Sequence, residues 1–242
     1  MVAAAPSREP RFARTALHRA QTPVPSSCSL SELRESARSC DRCAHACDAT
    51  QTVFGHGPES ARVMIVGEQP GDIEDVRGRP FVGPSGKLIR SLLDELSVDQ
   101  DNIYFTNAVK HFKYTIRGKR RLHQKPSAGD IDHCRSWLVE EISLIKPTVI
   151  VALGSTAARS LLGRTIRLEE ERGSLQRFGE SSSLMVSHHP ARILRTSNQV
   201  DRRRLKEQLL CDLALALLQC DLVRQVPSDL TKQHQLNEVA LK

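Results

Sequence analysis

Between residues 60 and 220, short apolar runs alternate with stretches whose apolar residues recur every three or four positions. "ARVMIVGEQPG" (61–71) is a β-branched run that ends in a Gly/Pro turn. "SGKLIRSLLDEL" (85–96) has Leu88, Ile89, Leu92, Leu93 and Leu96 at helical spacing. "NIYFTN" (102–107) predicts a strand. "SAGDIDHCRSWLVEEISLIKP" (127–147) predicts a helix capped by Ser127, with Ile131, Cys134, Leu138, Ile142 and Ile145 on one face. "TVIVALG" predicts a buried strand, "STAARSLLG" a short helix and "LMVSHHP" a further strand, before a last helix over 202–219. Strands that alternate with helices pair in parallel through right-handed crossovers. The fold class that follows is α/β, a three-layer α/β/α sandwich around a short central, mainly parallel sheet.

Ligands of such sheets sit beyond the carboxyl ends of the strands. The strand-end segments here are "GEQPGDIED", "TNAVKHFK", "LGSTA" and "SHHPARILR", and three of the four carry more reactive side chains than solubility requires. At 242 residues and 39% hydrophobic, the chain suits one sizeable core, placed at residues 31–221. Residues 1–30, rich in Ala, Pro, Ser and Arg, form an extension that suggests either disorder or organelle targeting, and 222–242 form a polar tail. The longest apolar run is Leu213 to Leu218, too short for a membrane span. No exposed apolar stripe demands a second copy, so a monomer is expected.

Charge changes the picture by where it lies. Thirty-five Lys and Arg stand against 28 Asp and Glu, a net +7. The excess concentrates in Arg117, Lys119, Arg120, Arg121 and Lys125, and again between Arg192 and Lys206. Two such clusters suit a polyanion held through its phosphates, although solvated faces have the same composition. The first cluster, "KRRLH", ends on His123, a weak cation but a good nucleophile.

Seven cysteines, three of them in "CDRCAHAC", do not make a secreted disulfide framework. They favour a reducing cytoplasm and a metal site. Cys40 and Cys43 form a C-x2-C pair, used alike by zinc, iron–sulfur and redox sites. Cys47, His111 and Cys134 are further candidate ligands, and Cys134 also reads as an inert buried cysteine. Cys28, Cys211 and Cys220 have no partner at ligand spacing.

"GEQPGDIEDVRGRPFVGPSGKLIRSLL" resembles the first motif of the iron–sulfur uracil-DNA glycosylases. The likeness continues through "YFTNAVK", "CRSWLVEEI", "KPTVIVALGSTAARSLLG" and "HPARILR", colinear over about residues 38–220. Within that family the chain is most similar to the family X subgroup, through GEQPGD, "NAVKHFK" and the "KRRLH" loop, where Leu122 replaces an isoleucine. The resemblance implies a 4Fe–4S cluster held by Cys40, Cys43, His111 and Cys134, with Cys47 an extra cysteine that competes with His111 for the role. It implies uracil-containing DNA as partner, with single strands favoured, and a protein that is cytoplasmic and nucleoid-associated when acting. It makes Phe81 the stacking platform and Asn107 the uracil-reading amide; on the residues alone, Phe81 as core and Asn107 as a turn cap remain open.

Cleaving an N-glycosidic bond builds positive charge on the sugar and negative charge on the departing base, so donors belong near the base and anions or a nucleophile near C1′. His189, with backbone N–H groups around Gln69 and Gly71, is expected at the leaving group. Glu68 and Asp72 are expected to orient water, His123 or the sugar, and Glu74 and Asp75 to serve the loop. Arg120 and Arg121 favour a neutral, nucleophilic His123, and with Lys119, Arg192 and Arg195 they are expected to hold DNA. The resulting expectation is a uracil-DNA glycosylase that traps itself through a bond from His123 to C1′. A turnover glycosylase and a non-catalytic binder of damaged DNA are its rivals.

Overall fold

The computed structural model describes residues 29–223, apart from Ala44 and the side chain of Cys47. Most of the N-terminal extension and the C-terminal tail therefore lie outside the described residues, as does the question of Cys47 as a ligand. In chain order the elements are α1 (Leu30–Arg38), α2 (His45–Asp48), β1 (Val63–Gly67), α3 (Asp72–Arg77), α4 (Pro84–Glu95) and β2 (Ile103–Asn107). A hairpin of β3 (Tyr114–Arg117) and β4 (Arg120–His123) comes next, then α5 (Ala128–Ile145), β5 (Val149–Leu153), α6 (Gly154–Leu162) and α7 (Leu168–Glu171). The chain closes with β6 (Leu175–Phe178), β7 (Ser182–Ser187), α8 (Pro190–Arg195) and α9 (Gln199–Leu218).

Local chemistry sets the helix starts. Ser29 with Glu32 and Ser127 with Asp130 form capping boxes at α1 and α5, each satisfying two backbone donors reciprocally. Proline at the first turn opens α4 and α8, where its missing N–H costs nothing. Asn198 caps α9, which starts three residues earlier than the 202 expected from sequence, because Gln199 and Asp201 are polar and Val200 between them is exposed.

The five-stranded sheet has the order β2-β1-β5-β7-β6, parallel except for the antiparallel edge pair β6–β7. Alternation along the central strands sorts residues into two apolar layers. Val63, Ile65, Val149, Val151 and Leu153 join α4 and α9 residues such as Leu92, Leu93, Leu209 and Leu213 on one face. Met64, Val66, Ile150 and Ala152 join Leu33, Trp137, Leu138, Ala158 and Leu161 of α1, α5 and α6 on the other. The three-layer sandwich is therefore present, with helices on both faces. Among the described residues no helix is long and apolar enough to cross a membrane.

The chain leaves β1 for β2 on one side and then returns to β5 on the other, so the strand order reverses at β1. The carboxyl ends of β1, β2, β5 and β7 surround that point, where α/β sheets open a crevice.

"KRRLH" is not a loop. It forms a two-stranded antiparallel sheet with "YTIR", pairing Tyr114 with His123 and Ile116 with Arg121. Gly118, at φ 60°, supplies the left-handed turn residue that a two-residue hairpin connection needs.

Candidate active site

The crevice holds a cavity of about 860 Å³. Glu68, Gln69, Gly71 and Asp72 reach it from the end of β1 and the start of α3, Asn107 from the end of β2, His123 from β4, and His189 from the end of β7. Phe81, Arg192 and Arg195 complete the part of the wall anticipated from sequence. Side chains from four separate strand ends thus meet in one space, although the chain separates them by up to 121 positions (189 − 68).

Two of these side chains form the floor. Asn107 is buried. A Cβ on Gly67 would lie 2.3 Å from Asn107 Oδ1 and 2.9 Å from Phe81 Cζ, so only glycine lets both groups occupy their places. Phe81 sits at φ 56°, an unfavourable backbone region for a bulky residue, and packs its ring 5.5 Å from that of Phe105. Gly86 allows this conformation, since a Cβ there would meet the Phe81 carbonyl oxygen at 1.9 Å. A Gly67→Ala variant should lose about 100-fold in kcat/KM toward its substrate, because displacing a reading group by an ångström has that order of cost. Steady-state kinetics beside a thermal melt checks this; unchanged kinetics in a folded variant would refute the role given to Gly67.

Glu68 forms the anionic wall. Its Oε2 accepts the Thr156 hydroxyl at 2.6 Å, and its Oε1 lies 3.1 Å from His123 Nε2. Burial alone raises the pKa of this carboxyl, but the hydrogen bonds from His123 and Thr156 outweigh burial and hold it below its ordinary value. The charged neighbour of His123 is therefore a carboxylate, not the free arginines expected from the sequence. Thr156, from the first turn of α6, is not foreseeable from sequence, because a lone threonine in "LGSTA" carries no signal of its partner.

His189 caps α8: its Nδ1 accepts the Ala191 N–H at 3.1 Å. That bond fixes the neutral tautomer, with the proton on Nε2. Burial is the main cause that pushes the His189 pKa down to about 4, against the opposing pull of Glu68. The ring is neutral at pH 7 and offers one N–H. His188 turns away, with Nε2 2.9 Å from Gln208 Oε1.

The hairpin is fastened at both ends by one side chain. Gln69 Nε2 donates to the carbonyls of Lys113 and Gln124, at 3.1 and 3.0 Å, and its Oε1 accepts the Lys113 N–H. Arg121 fastens the middle: its Nε donates to Asp72 and its Nη1 to Asp75, each at 2.6 Å, while its guanidinium lies over Phe112 and Tyr114. The sequence suggests Arg121 as a DNA contact and Asp72 as a group that orients water or the sugar; here the two are paired through one oxygen of Asp72, and the hydrogen-bonding capacity of Arg121 is largely taken. Strand alternation explains this, since it turns Arg121 to the same face as His123 and toward α3. Asp75 is fully buried and also accepts the Thr50 N–H, while Glu74 accepts the Gly83 N–H, so both serve the loop. Lys119 and Arg120 are exposed on the hairpin and have no carboxylate partner among the described residues. Arg192 pairs with Glu169, and Arg195 is exposed at the cavity rim.

Cys40, Cys43, Cys134 and His111 are all buried in one region between α1, the end of β2 and α5. Cys43 Sγ lies 3.9 Å from His111 Nδ1. The Thr52 hydroxyl donates to the Ala37 carbonyl at 2.9 Å and so receives its own hydrogen bond from His111 Nε2, 2.8 Å away. The His111 proton is thereby held on Nε2, leaving the Nδ1 lone pair directed toward Cys43. Burial raises the Cys43 pKa and pushes that of Cys134 up to about 12, the nearby thiols adding to both. Three buried thiols and a neutral imidazole become good donors only with a cation among them. This donor set fits a thiolate-bound metal group. Among the described residues no group of three or more His, Cys, Asp or Glu side chains is placed to hold one metal ion.

Known proteins are similar to this chain over much of its length. The uracil DNA glycosylase superfamily model matches residues 54–214. The type-4 uracil-DNA glycosylase of Pyrobaculum aerophilum is 32% identical over 173 residues, covering 69% of this chain and 85% of the relative. That of Thermotoga maritima is 31% identical, covering 72% and 88%. A type-5 uracil-DNA glycosylase of P. aerophilum is 34% identical over a shorter stretch, 44% of this chain and 50% of the relative. The matched span, 54–214, runs from before β1 into α9 and so contains every wall of the cavity: the chain belongs to the uracil-DNA glycosylase superfamily.

Proposed function

We propose that the protein excises uracil from DNA and that His123 then captures C1′ of the deoxyribose in a covalent bond. The observation that carries this reading is the position of His123. It stands on a fastened hairpin, 3.1 Å from Glu68, in the wall of the cavity that Asn107 and Phe81 floor.

Uracil in a duplex is out of reach, so the nucleotide swings out and its base enters the cavity. The Phe81 ring stacks on the base, and the Asn107 amide pairs with its polar edge. The C1′–N1 bond breaks with its electron pair leaving on uracil, and the neutral His189 Nε2–H donates to the oxygen where that charge grows. The Glu68 carboxylate stabilises the cationic sugar. One imidazole nitrogen of His123 gives its lone pair to C1′, and the other ring nitrogen loses its proton to solvent. The product is a neutral alkylated imidazole, a poor leaving group, so the adduct persists. Arg120 and Lys119, exposed on the same hairpin, hold flanking phosphates.

The names of the relatives favour a second reading, turnover with water in place of His123. A denaturing gel of protein with uracil-containing oligonucleotide separates the two. A heat-stable shifted band supports capture, an alkali-labile nick without a shift supports turnover, and neither outcome leaves only binding. Single strands should react faster than duplex, since no base pair must be opened.

We further propose that Cys40, Cys43, Cys134 and His111 hold a 4Fe–4S cluster. When bound it ties the α1–α2 connection, the β2–hairpin connection and α5 together. Purified protein should then be brown, and Cys43→Ser should lose the visible absorbance together with iron and sulfide. A colourless protein containing one zinc would overturn the assignment.

A further inference from the structure

A second groove, of about 350 Å³, adjoins the main cavity. Lys125 and Ser155 line both spaces, so the two are continuous. The rest of the groove comprises Pro126, Ala128, Ile131, Thr156, Arg159, Thr165 and Ile166, with no carboxylate in its wall. Lys125 has no ion-pair partner among the described residues, and the hydrogen bond of Arg159 is to a neutral group, Thr165 Oγ1, at 3.4 Å. Several other arginines near the site or in the core are neutralised: Arg121 by Asp72 and Asp75, Arg164 by Glu171, Arg172 by Asp212, and Arg192 by Glu169. Two uncompensated cations facing one groove are therefore a local excess that the fold does not consume.

We propose that this groove is a phosphate subsite for the strand that delivers the nucleotide to the main cavity, with Lys125 and Arg159 holding the phosphate on one side of it. The inference rests on the uracil-DNA reading. A strand whose base occupies the main cavity must leave it with a phosphate and sugar on each side. This groove offers cations and the Ser155 hydroxyl for the phosphate, and Pro126, Ile131 and Ile166 for the apolar face of the sugar. The size is at the lower end of pockets that hold small organic groups. Thr156 ties the two spaces mechanically, since it lines the groove while its hydroxyl holds Glu68. Lys125 belongs to the first basic cluster of the sequence, but nothing in "AARS" signals that Arg159 shares a site with it.

The test is salt-dependent binding. The probe is a single-stranded oligonucleotide carrying 2′-fluoro-2′-deoxyuridine, whose glycosidic bond resists cleavage, measured by fluorescence anisotropy at several salt concentrations. Removing one phosphate-binding cation lowers the slope of log K against log salt by about 0.7 for single strands. A Lys125→Ala/Arg159→Ala protein should therefore show a slope smaller by about 1.4, twice that single-cation value, while Arg38→Ala/Arg62→Ala, with the same charge removed elsewhere, keeps the wild-type slope. Of two oligonucleotides trimmed to end next to the uridine, one on each side, one should bind wild type and the Lys125/Arg159 variant equally. An unchanged slope in that variant, with normal uracil excision by wild type, overturns the subsite alone. Wild-type protein that neither binds nor cleaves uracil-containing DNA overturns the functional reading, and the subsite with it.

Discussion

A His123→Ser protein should form no heat-stable conjugate with a uracil-containing oligonucleotide and should instead leave an alkali-labile abasic site. The serine oxygen is shorter by most of a ring and is protonated at neutral pH, so it neither reaches nor attacks C1′. The space that the imidazole vacates lies beside Glu68, which then has only the Thr156 hydroxyl on its other oxygen and can orient a water. Glu68 loses the His123 hydrogen bond that helps hold its carboxyl ionised and keeps that from Thr156, while the rest of the machinery does not depend on the imidazole. Gln69 and Arg121 fasten the hairpin, and His189 keeps its tautomer through Ala191. The His123 side chain is 44% exposed, so its removal should change stability by no more than about 0.5 kcal/mol. Conjugate on a denaturing gel and abasic product after alkali treatment are both read from one reaction. A conjugate that survives the substitution would remove His123 as the nucleophile. A variant that forms neither product would show instead that the ring serves excision itself.

Periodicity carries much of the fold. Apolar repeats locate β1, β2, β5 and β7 and the helices α4, α5, α6 and α9, because each buries a face whose pattern is local. The strand-end segments then locate the crevice before any partner is visible. What is not legible depends on partners far along the chain. Arg121 reads as a free cation beside Lys119 and Arg120, yet its carboxylates are Asp72 and Asp75, 49 and 46 positions away. The hairpin has a signal, alternating "YTIR" and "RRLH" around Gly118, but the density of charge there suggests a loop. The sequence puts Gln69 at the substrate through its backbone, while its side chain proves to carry the hairpin. The ion pair beneath Asn107 is invisible, since nothing in "NAVK" or "VEEI" says that Lys110 and Glu141 are both fully buried.

That pair carries the largest expected cost to stability. Lys110 Nζ donates to Glu141, to the Thr106 hydroxyl at 2.7 Å and to the Asn107 carbonyl at 2.9 Å. Glu141 also accepts the Gly55 N–H at 3.0 Å and the Tyr104 hydroxyl at 2.9 Å. All three donors of the ammonium and both oxygens of the carboxylate are thus engaged, and both side chains are closed off from solvent. Removing one partner of such a pair leaves an unpaired buried charge and costs about 3–5 kcal/mol. Lys110→Met should therefore shift the guanidinium midpoint of the intact protein strongly downward and should slow excision below the melting range, because the Asn107 backbone loses its anchor. Glu141→Gln should destabilise less, as the amide oxygen still accepts from Gly55 and Tyr104 while Lys110 loses its counter-charge. The Lys110→Met/Glu141→Gln protein should be more stable than the two single substitutions predict by about 0.5–3 kcal/mol, the range for residues in one network. Additive effects would mean that the pair acts as two separate hydrogen-bonding groups. A Lys110→Met protein within about 1 kcal/mol of wild type, judged against that 3–5 kcal/mol cost, would mean that the cavity floor stands on packing alone.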